Sequence, residues 1–272
     1  MGKHFTNIVS NYFGKFAKKE FAPNVQAFIN NSYVKLMGLD MTNFETPESY
    51  SSLNKLFTRA LKDARDIDLN EEAFISPSDS LVMECGTLDR RLSMQIKGMN
   101  YSVAELLGNE VNSLSLSRVE NGGYINLYLS PKDYHRYHAP IDMRILRIIH
   151  IPGRLYPVNK PALKYKKNLF IENERVVVEC QTDEGKLFYL VMVGALNVGQ
   201  IYMNMQEDLH TNAKATQSSV YTYKDLNVKK GDELGYFMMG STVVVISEKD
   251  MLDIDVASGA NVRFGQKIAT IK

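Results

Sequence analysis

Residues 175–194, RVVVECQTDEGKLFYLVMVG, decide the fold class. A valine-rich run is followed by Thr182, Asp183, Glu184 and Gly185 and then by a second apolar run. Each run is too short for a helix and is rich in β-branched or aromatic residues, so the stretch predicts two strands joined by a hairpin turn. Further out, YINLYLS (124–130), MRILRIIHI (143–151) and STVVVIS (241–247) have the same character and the same Gly, Pro, Asn and Asp punctuation. Helical signals are shorter. Ser102 and Glu105 form a capping-box pattern before Leu106, Leu107 and Gly108. Thr46-Pro47 offers a cap with proline at the first helical position, followed by Leu53, Phe57 and Leu61. Nearer the start, Phe5, Ile8, Val9, Tyr12, Phe13 and Phe16 recur at helical spacing among Lys3, Lys15, Lys18 and Lys19. Pro23 ends or redirects that helix, and Val25, Phe28, Ile29, Val34 and Met37 mark another before Gly38. The expectation is an α+β, mainly β chain, with an N-terminal helical region at 1–62 and a β-sandwich or barrel-like domain at 63–272.

A chain of 272 residues can bury a sizeable core. Its net charge of +1 argues against a strongly basic nucleic-acid binder, so no nucleic-acid partner is expected. Cys85 and Cys180 lack CxxC spacing, which predicts neither a disulfide framework nor a thiol-rich zinc site. No metal is expected, and a reducing compartment is the simpler setting. The start, MGKHFTNIVSNYFGKFAKKEF, lacks the apolar core of a secretory signal, and FYLVMVGALNV (188–198) falls short of a membrane span. The basic amphipathic N-terminal helices are equally compatible with lying on a membrane and with packing on the core.

Two distant segments carry candidate chemistry. LSPKDYHRYHAP (129–140) places His135 and His138 beside Asp133, and FMMGSTVVV (237–245) places Ser241 after Gly240 at the head of an apolar strand. With Asp79 of SPSDS (76–80), the order Asp, His, Ser is compatible with triad chemistry. Alone, each histidine reads as a surface or structural residue, and Asp79 reads as a turn residue capping nearby amides. On a regular strand, positions 135 and 138 face opposite sides, so the chain must turn if both serve one site; Pro131 and Pro140 make such a turn plausible.

Taken with FTRALKDARDID (57–68), KGMNYSVAELLG (97–108), HIPGRLYPVN (150–159), NLFIENERVV (168–177) and VGALNVGQI (193–201), these segments resemble the phosphatidylserine decarboxylases from about Ser51 to the chain end. The resemblance implies self-cleavage between Gly240 and Ser241 into a larger chain, 1–240, and a smaller one, 241–272, whose Ser241 becomes a covalent pyruvoyl cofactor. It implies that His138 is the base of that cleavage, that Asp79 holds its ring, and that His135 serves the later decarboxylation. The implied reaction takes phosphatidylserine to phosphatidylethanolamine and CO2 through a Schiff base. The implied partners are that lipid and the membrane surface. The two chains would stay associated and peripheral on the cytoplasmic face of the cell membrane, with a homodimer left open. Ser80 departs from the glycine that usually follows the family aspartate.

Two other readings stand beside this one: a pyruvoyl decarboxylase of another amino acid or amine-bearing lipid, and an unprocessed binding module. The tail segments NVKKGDELGYF (227–237) and VASGANVRFGQKIATI (256–271) also resemble the glycine rhythm of biotinyl and lipoyl carriers, without their lysine hairpin. Lys160, Lys164, Lys166 and Lys167 read as a solvated loop, and His150 and His210 as structural residues.

Overall fold

The computed structural model describes residues 12, 14–89, 93–96, 98–158, 168–196, 200–211, 215–238 and 241–272. The hairpin forms where the sequence predicts it, with Arg175–Gln181 pairing antiparallel to Leu187–Val193. Thr182 N–H donates to Lys186 O and Gly185 N–H to Thr182 O, each at 2.9 Å. Gly185 takes φ +83°, a left-handed conformation that a side chain would strain.

This hairpin lies inside an eight-stranded antiparallel sheet. Its order is Ser219–Val228, Met143–Ile151, Arg175–Gln181, Leu187–Val193, Ser241–Ser247, Gly123–Leu129, Ser80–Thr87 and Asn261–Val262. All five strands predicted from sequence are in it. Both faces are covered, which explains why the central strands read as continuous apolar runs. Leu127, Leu129, Val243 and Val245 face one core, together with Tyr137, Met203 and Phe237 of a small sheet formed by Ile201–Met203, Glu233–Phe237 and Arg136–His138. Tyr189, Val191, Val244 and Ile246 face the other, under Leu106 and Leu107 of helix Val103–Leu107 and Phe170 of helix Leu169–Glu172. The architecture is therefore mainly β and layered. Among the described residues the large sheet is open, so the barrel-like alternative is not realised.

Helix Val103–Leu107 has the predicted cap, Ser102 Oγ accepting from Glu105 N–H at 3.2 Å. The Thr46-Pro47 expectation needs correction. Those residues open only a short 3-10 turn, Pro47–Ser49, and the helix proper is Leu53–Phe57, capped by Ser52. Starting later buries Leu53, Leu56 and Phe57 on one face, while Leu61 falls outside the helix.

Helix Pro23–Met37 is turned against its apparent amphipathicity. Its buried residues are Gln26, Asn30 and Tyr33, whereas Phe28 is 73% exposed and Leu36 80% exposed. Asn30 organises the inner face: its Oδ1 accepts from Gln26 Nε2 at 2.8 Å, and its Nδ2 donates to Pro47 O and Tyr50 O at 2.8 and 2.9 Å. Ile29 and Val34 are only partly buried. Of the preceding predicted helix, Tyr12 and Phe16 are exposed and Ala17 is buried. Lys3, Phe5, Ile8, Val9 and Phe13 lie outside the described residues. No helix among the described residues is long and apolar enough to cross a membrane.

Candidate active site

The chain leaves the large sheet at Leu129 and turns at once. Asp133 N–H donates to Ser130 O at 2.9 Å, and Ser130 N–H donates to Asp133 Oδ2 at 2.7 Å. The acid beside the two histidines therefore caps its own turn, and burial raises its pKa above the usual carboxylate range. The turn delivers residues 136–138 to the small sheet, where main-chain bonds fix both histidines. Phe237 N–H donates to His135 O, and His138 N–H donates to Pro77 O, each at 2.9 Å.

The two rings occupy separate settings, as the strand spacing requires. His135 is fully buried, lies 4.0 Å from the Phe57 ring between centroids, and points Nδ1 at Asp133 O at 2.8 Å. Because a carbonyl only accepts, Nδ1 carries the proton and Nε2 is the basic atom. Nε2 has no hydrogen-bond partner among the described residues. His138 likewise points Nδ1 at Gly231 O at 2.9 Å, and its Nε2 accepts from the Tyr134 hydroxyl at 3.1 Å. Burial dominates both rings and pulls the pKa of His135 down to about 3 and that of His138 to about 4, so both are neutral bases at pH 7.

Asp79 reaches this cluster from the large sheet. Its carboxylate takes Arg65 Nη1 at 2.5 Å and Nη2 at 3.3 Å, and it accepts from Phe264 N–H at 2.8 Å. The Phe264 ring in turn stacks on His138. Contrary to expectation, Asp79 therefore does not hold the His138 ring: its carboxylate is engaged by Arg65 and the Phe264 amide, and the bonds of the His138 ring go to Gly231 and Tyr134, with Phe264 lying between the two. Ser80 opens the Ser80–Thr87 strand with its hydroxyl 2.8 Å from that of Ser78. It is not among the residues with positive φ, so serine fits the position without backbone strain.

Ser241 heads the Ser241–Ser247 strand, directly opposite Leu129, and Gly240 lies outside the described residues. The Ser241 side chain is fully buried, and its Oγ has no partner among the described residues. Thr242 Oγ1, next on the same strand, and Ser130 Oγ, directly after the partner strand, are buried and without a partner in the same way.

Two clefts adjoin Asp79, Asp133 and His138, and Ser241 and His135 line neither of them. One of about 270 Å³ is lined by Arg59, Arg65, Asp79, Lys132, Tyr134 and Arg263, and one of about 450 Å³ includes Arg65, Tyr134, His138, Glu233 and Phe264. Arg65 and Tyr134 line both, with the Arg65 guanidinium 5.7 Å from the Tyr134 ring centroid. No motif singles out Arg59, Arg65, Tyr134 or Phe264. Tyr134 sits inside the histidine motif and both arginines sit inside FTRALKDARDID, so the blocks held the signal. Phe264 had none, because its contacts span the chain.

Of the remaining polar expectations, His150 is structural, its Nε2 lying 2.8 Å from Glu174 Oε1 in a buried pair. The lysine cluster at 160–167 lies outside the described residues.

Known proteins resemble this chain over nearly its whole length. The family model described as phosphatidylserine decarboxylase matches residues 53–270. A phosphatidylserine decarboxylase proenzyme of Campylobacter jejuni is 44% identical over 270 residues, covering 97% of this chain and 99% of that protein. One from Helicobacter pylori is 46% identical over 268 residues, covering 97% of this chain and 96% of the relative. One from Shewanella amazonensis is 36% identical over 286 residues, covering all of this chain and 96% of the relative. Likeness of that extent, taking in the histidine turn, the Ser241 strand and both flanking sheets, makes this chain a member of the phosphatidylserine decarboxylase family.

Proposed function

We propose that the protein converts phosphatidylserine to phosphatidylethanolamine and CO2, using a pyruvoyl group made when the chain cuts itself between Gly240 and Ser241. The observation that carries this reading is the unpartnered, fully buried Oγ of Ser241, at the head of a strand whose partner runs directly into the His135 and His138 turn. In the cut, Ser241 Oγ attacks the Gly240 carbonyl, the peptide becomes an ester, and elimination at Ser241 separates the chains. Water then hydrolyses the resulting dehydroalanine, through its imine tautomer, releasing ammonia and leaving the pyruvoyl group on the smaller chain.

His138 is the base of the cut, and its Nε2 lone pair is kept neutral by burial. Because the Tyr134 hydroxyl occupies that lone pair, Tyr134 would hand its own proton to Nε2 while its oxygen takes up the serine proton. Asp79 acts as a positioning residue through Phe264. His135, with Nε2 unengaged, serves decarboxylation by holding and returning a proton. The pyruvoyl group, once present, supplies the electron sink for loss of the carboxylate.

The fold supports a mature enzyme whose two chains stay together. The smaller chain would contribute Ser241–Ser247, paired on both sides by Gly123–Leu129 and Leu187–Val193. It would also contribute Lys267–Ile271, which pairs with Ala73–Ile75. The outward apolar face of Pro23–Met37 supports a peripheral place on the membrane, since exposed Phe28 and Leu36 gain more from lipid than from water.

Intact mass of freshly purified protein beside Ser241→Ala tests the proposal. The expected result is two fragments split after Gly240, the smaller carrying the serine-to-pyruvoyl mass change, and an uncut variant. Phosphatidylserine vesicles should then release CO2 while free serine does not. A folded wild-type chain that remains single would overturn the reading.

A further inference from the structure

Arg59 is a buried cation with most of its donors unused. It is 2% exposed, yet only Nη2 is engaged, donating to Lys132 O at 2.9 Å and Asp133 O at 3.4 Å. Nε and Nη1, which carry three N–H groups between them, have no partner among the described residues. The face of the guanidinium is covered by Phe44 at 4.4 Å from the ring centroid. Arg59 forms no ion pair among the described residues and feels the Asp79 and Asp133 carboxylates only through space, so its free N–H groups are suited to an anion that arrives from outside.

The surroundings match. Arg59 lines the cleft of about 270 Å³ together with Lys132 and Arg263, neither of which forms an ion pair among the described residues. The acids of this cleft are already engaged. Asp79 is taken by Arg65 and the Phe264 amide, Asp40 by Thr42, and Asp133 by the Ser130 amide. The cleft also includes Gly38, the residue that ends the outward-apolar helix Pro23–Met37. The cleft thus borders the end of that helix, next in sequence to the exposed Leu36 and Met37.

We propose that Arg59, supported by Lys132 and Arg263, binds the phosphodiester of the lipid headgroup and so fixes the substrate against the reacting centre. The proposal rests on the decarboxylase reading above. Phosphate fits better than the serine carboxylate. An arginine on the carboxylate would stabilise the very charge that decarboxylation disperses, holding the ground state more tightly than the transition state. A phosphodiester keeps its charge throughout and presents two oxygens to the guanidinium fork.

The test uses Arg59→Met and Arg59→Lys in the full chain, with phosphatidylserine turnover measured in mixed micelles and self-cleavage followed in the same preparations. Arg59→Met should raise KM for phosphatidylserine about tenfold or more, the loss expected for a charge-assisted hydrogen-bonded pair, with kcat much less affected. Arg59→Lys, which keeps the charge but not the fork, should fall between. Glycerophosphoserine, at constant ionic strength, should raise the melting temperature of the wild type and not of Arg59→Met.

If Arg59→Met is not processed, the melting shift is read on the uncut Ser241→Ala chain with and without the second substitution. An unchanged KM in Arg59→Met overturns the proposal, as does a glycerophosphoserine shift that survives the substitution. A shift produced by inorganic phosphate but not by glycerophosphoserine also overturns it, because the site would then belong to a free ion. Failure of the wild type to release CO2 from phosphatidylserine would instead strike the decarboxylase reading.

Discussion

The His138 ring lies flat on Phe264, with centroids 3.6 Å apart and planes 14° apart, and the main-chain amide of the same Phe264 donates to Asp79 at 2.8 Å. One residue from the far end of the chain thus holds the carboxylate with its backbone and the imidazole with its side chain. Phe264→Leu keeps the amide and loses the stack. It should leave the Asp79 contact intact, lower stability by about 1 kcal/mol, and slow self-cleavage about tenfold. A time course of fragment appearance after rapid purification checks this, and processing at the wild-type rate would refute the role given to the stack.

Arg65 and Asp79 form a largely buried pair, with side-chain exposures of 16% and 18%. Arg65→Met leaves the carboxylate with only the Phe264 amide of its present donors. The residual exposure tempers the loss, which should be about 2 kcal/mol by urea denaturation. Adding Asp79→Asn should recover part of it, as a double-mutant cycle would measure.

The histidines set a pH window for stability. Both have folded pKa values below the unfolded value of 6.5, about 4 for His138 and about 3 for His135. Between about 6.5 and those values the unfolded chain binds protons that the folded one refuses, so stability falls as pH drops through this range. Melting temperatures from pH 7 to pH 4 should decline, and His138→Gln should show a shallower slope. Self-cleavage should hold its rate down to about pH 5, because its base remains neutral there.

The membrane contact proposed for the inverted helix is separable from its role in folding. Phe28→Ser with Leu36→Ser should leave stability within about 1 kcal/mol, since both side chains are already exposed. Sedimentation with anionic vesicles should drop several-fold. Asn30→Leu should do the opposite, costing about 2 kcal/mol by stranding Pro47 O and Tyr50 O while sparing vesicle binding.

A close backbone approach supports the strand that leads to Ser241. A Cβ at Gly235 would stand 1.9 Å from Tyr202 O, and Gly235 also faces Tyr137 across the small sheet. Gly235→Ala should therefore cost about 3 kcal/mol and impair processing, read together by melting and by fragment yield.

The sequence alone determined the β class, the five main strands, the hairpin turn at 182–185 and the Ser102 cap, because each rests on local chemistry: β-branched runs, turn residues and a hydroxyl three residues before an amide. It also supplied the residues expected to act, through blocks whose order along the chain resembles a known family. Only the tertiary structure decided how those groups are held. Asp79 is bound by Arg65 and Phe264, Asp133 caps its own turn, and His135 and His138 occupy different settings although three positions apart. Helix Pro23–Met37 shows the reason most clearly. Its periodicity identified a helix with an apolar face, yet which face turns inward depended on Asn30 finding the carbonyls of Pro47 and Tyr50. A buried amide with complementary partners can outweigh the burial of a phenylalanine, and those partners are brought into place only by the folded chain.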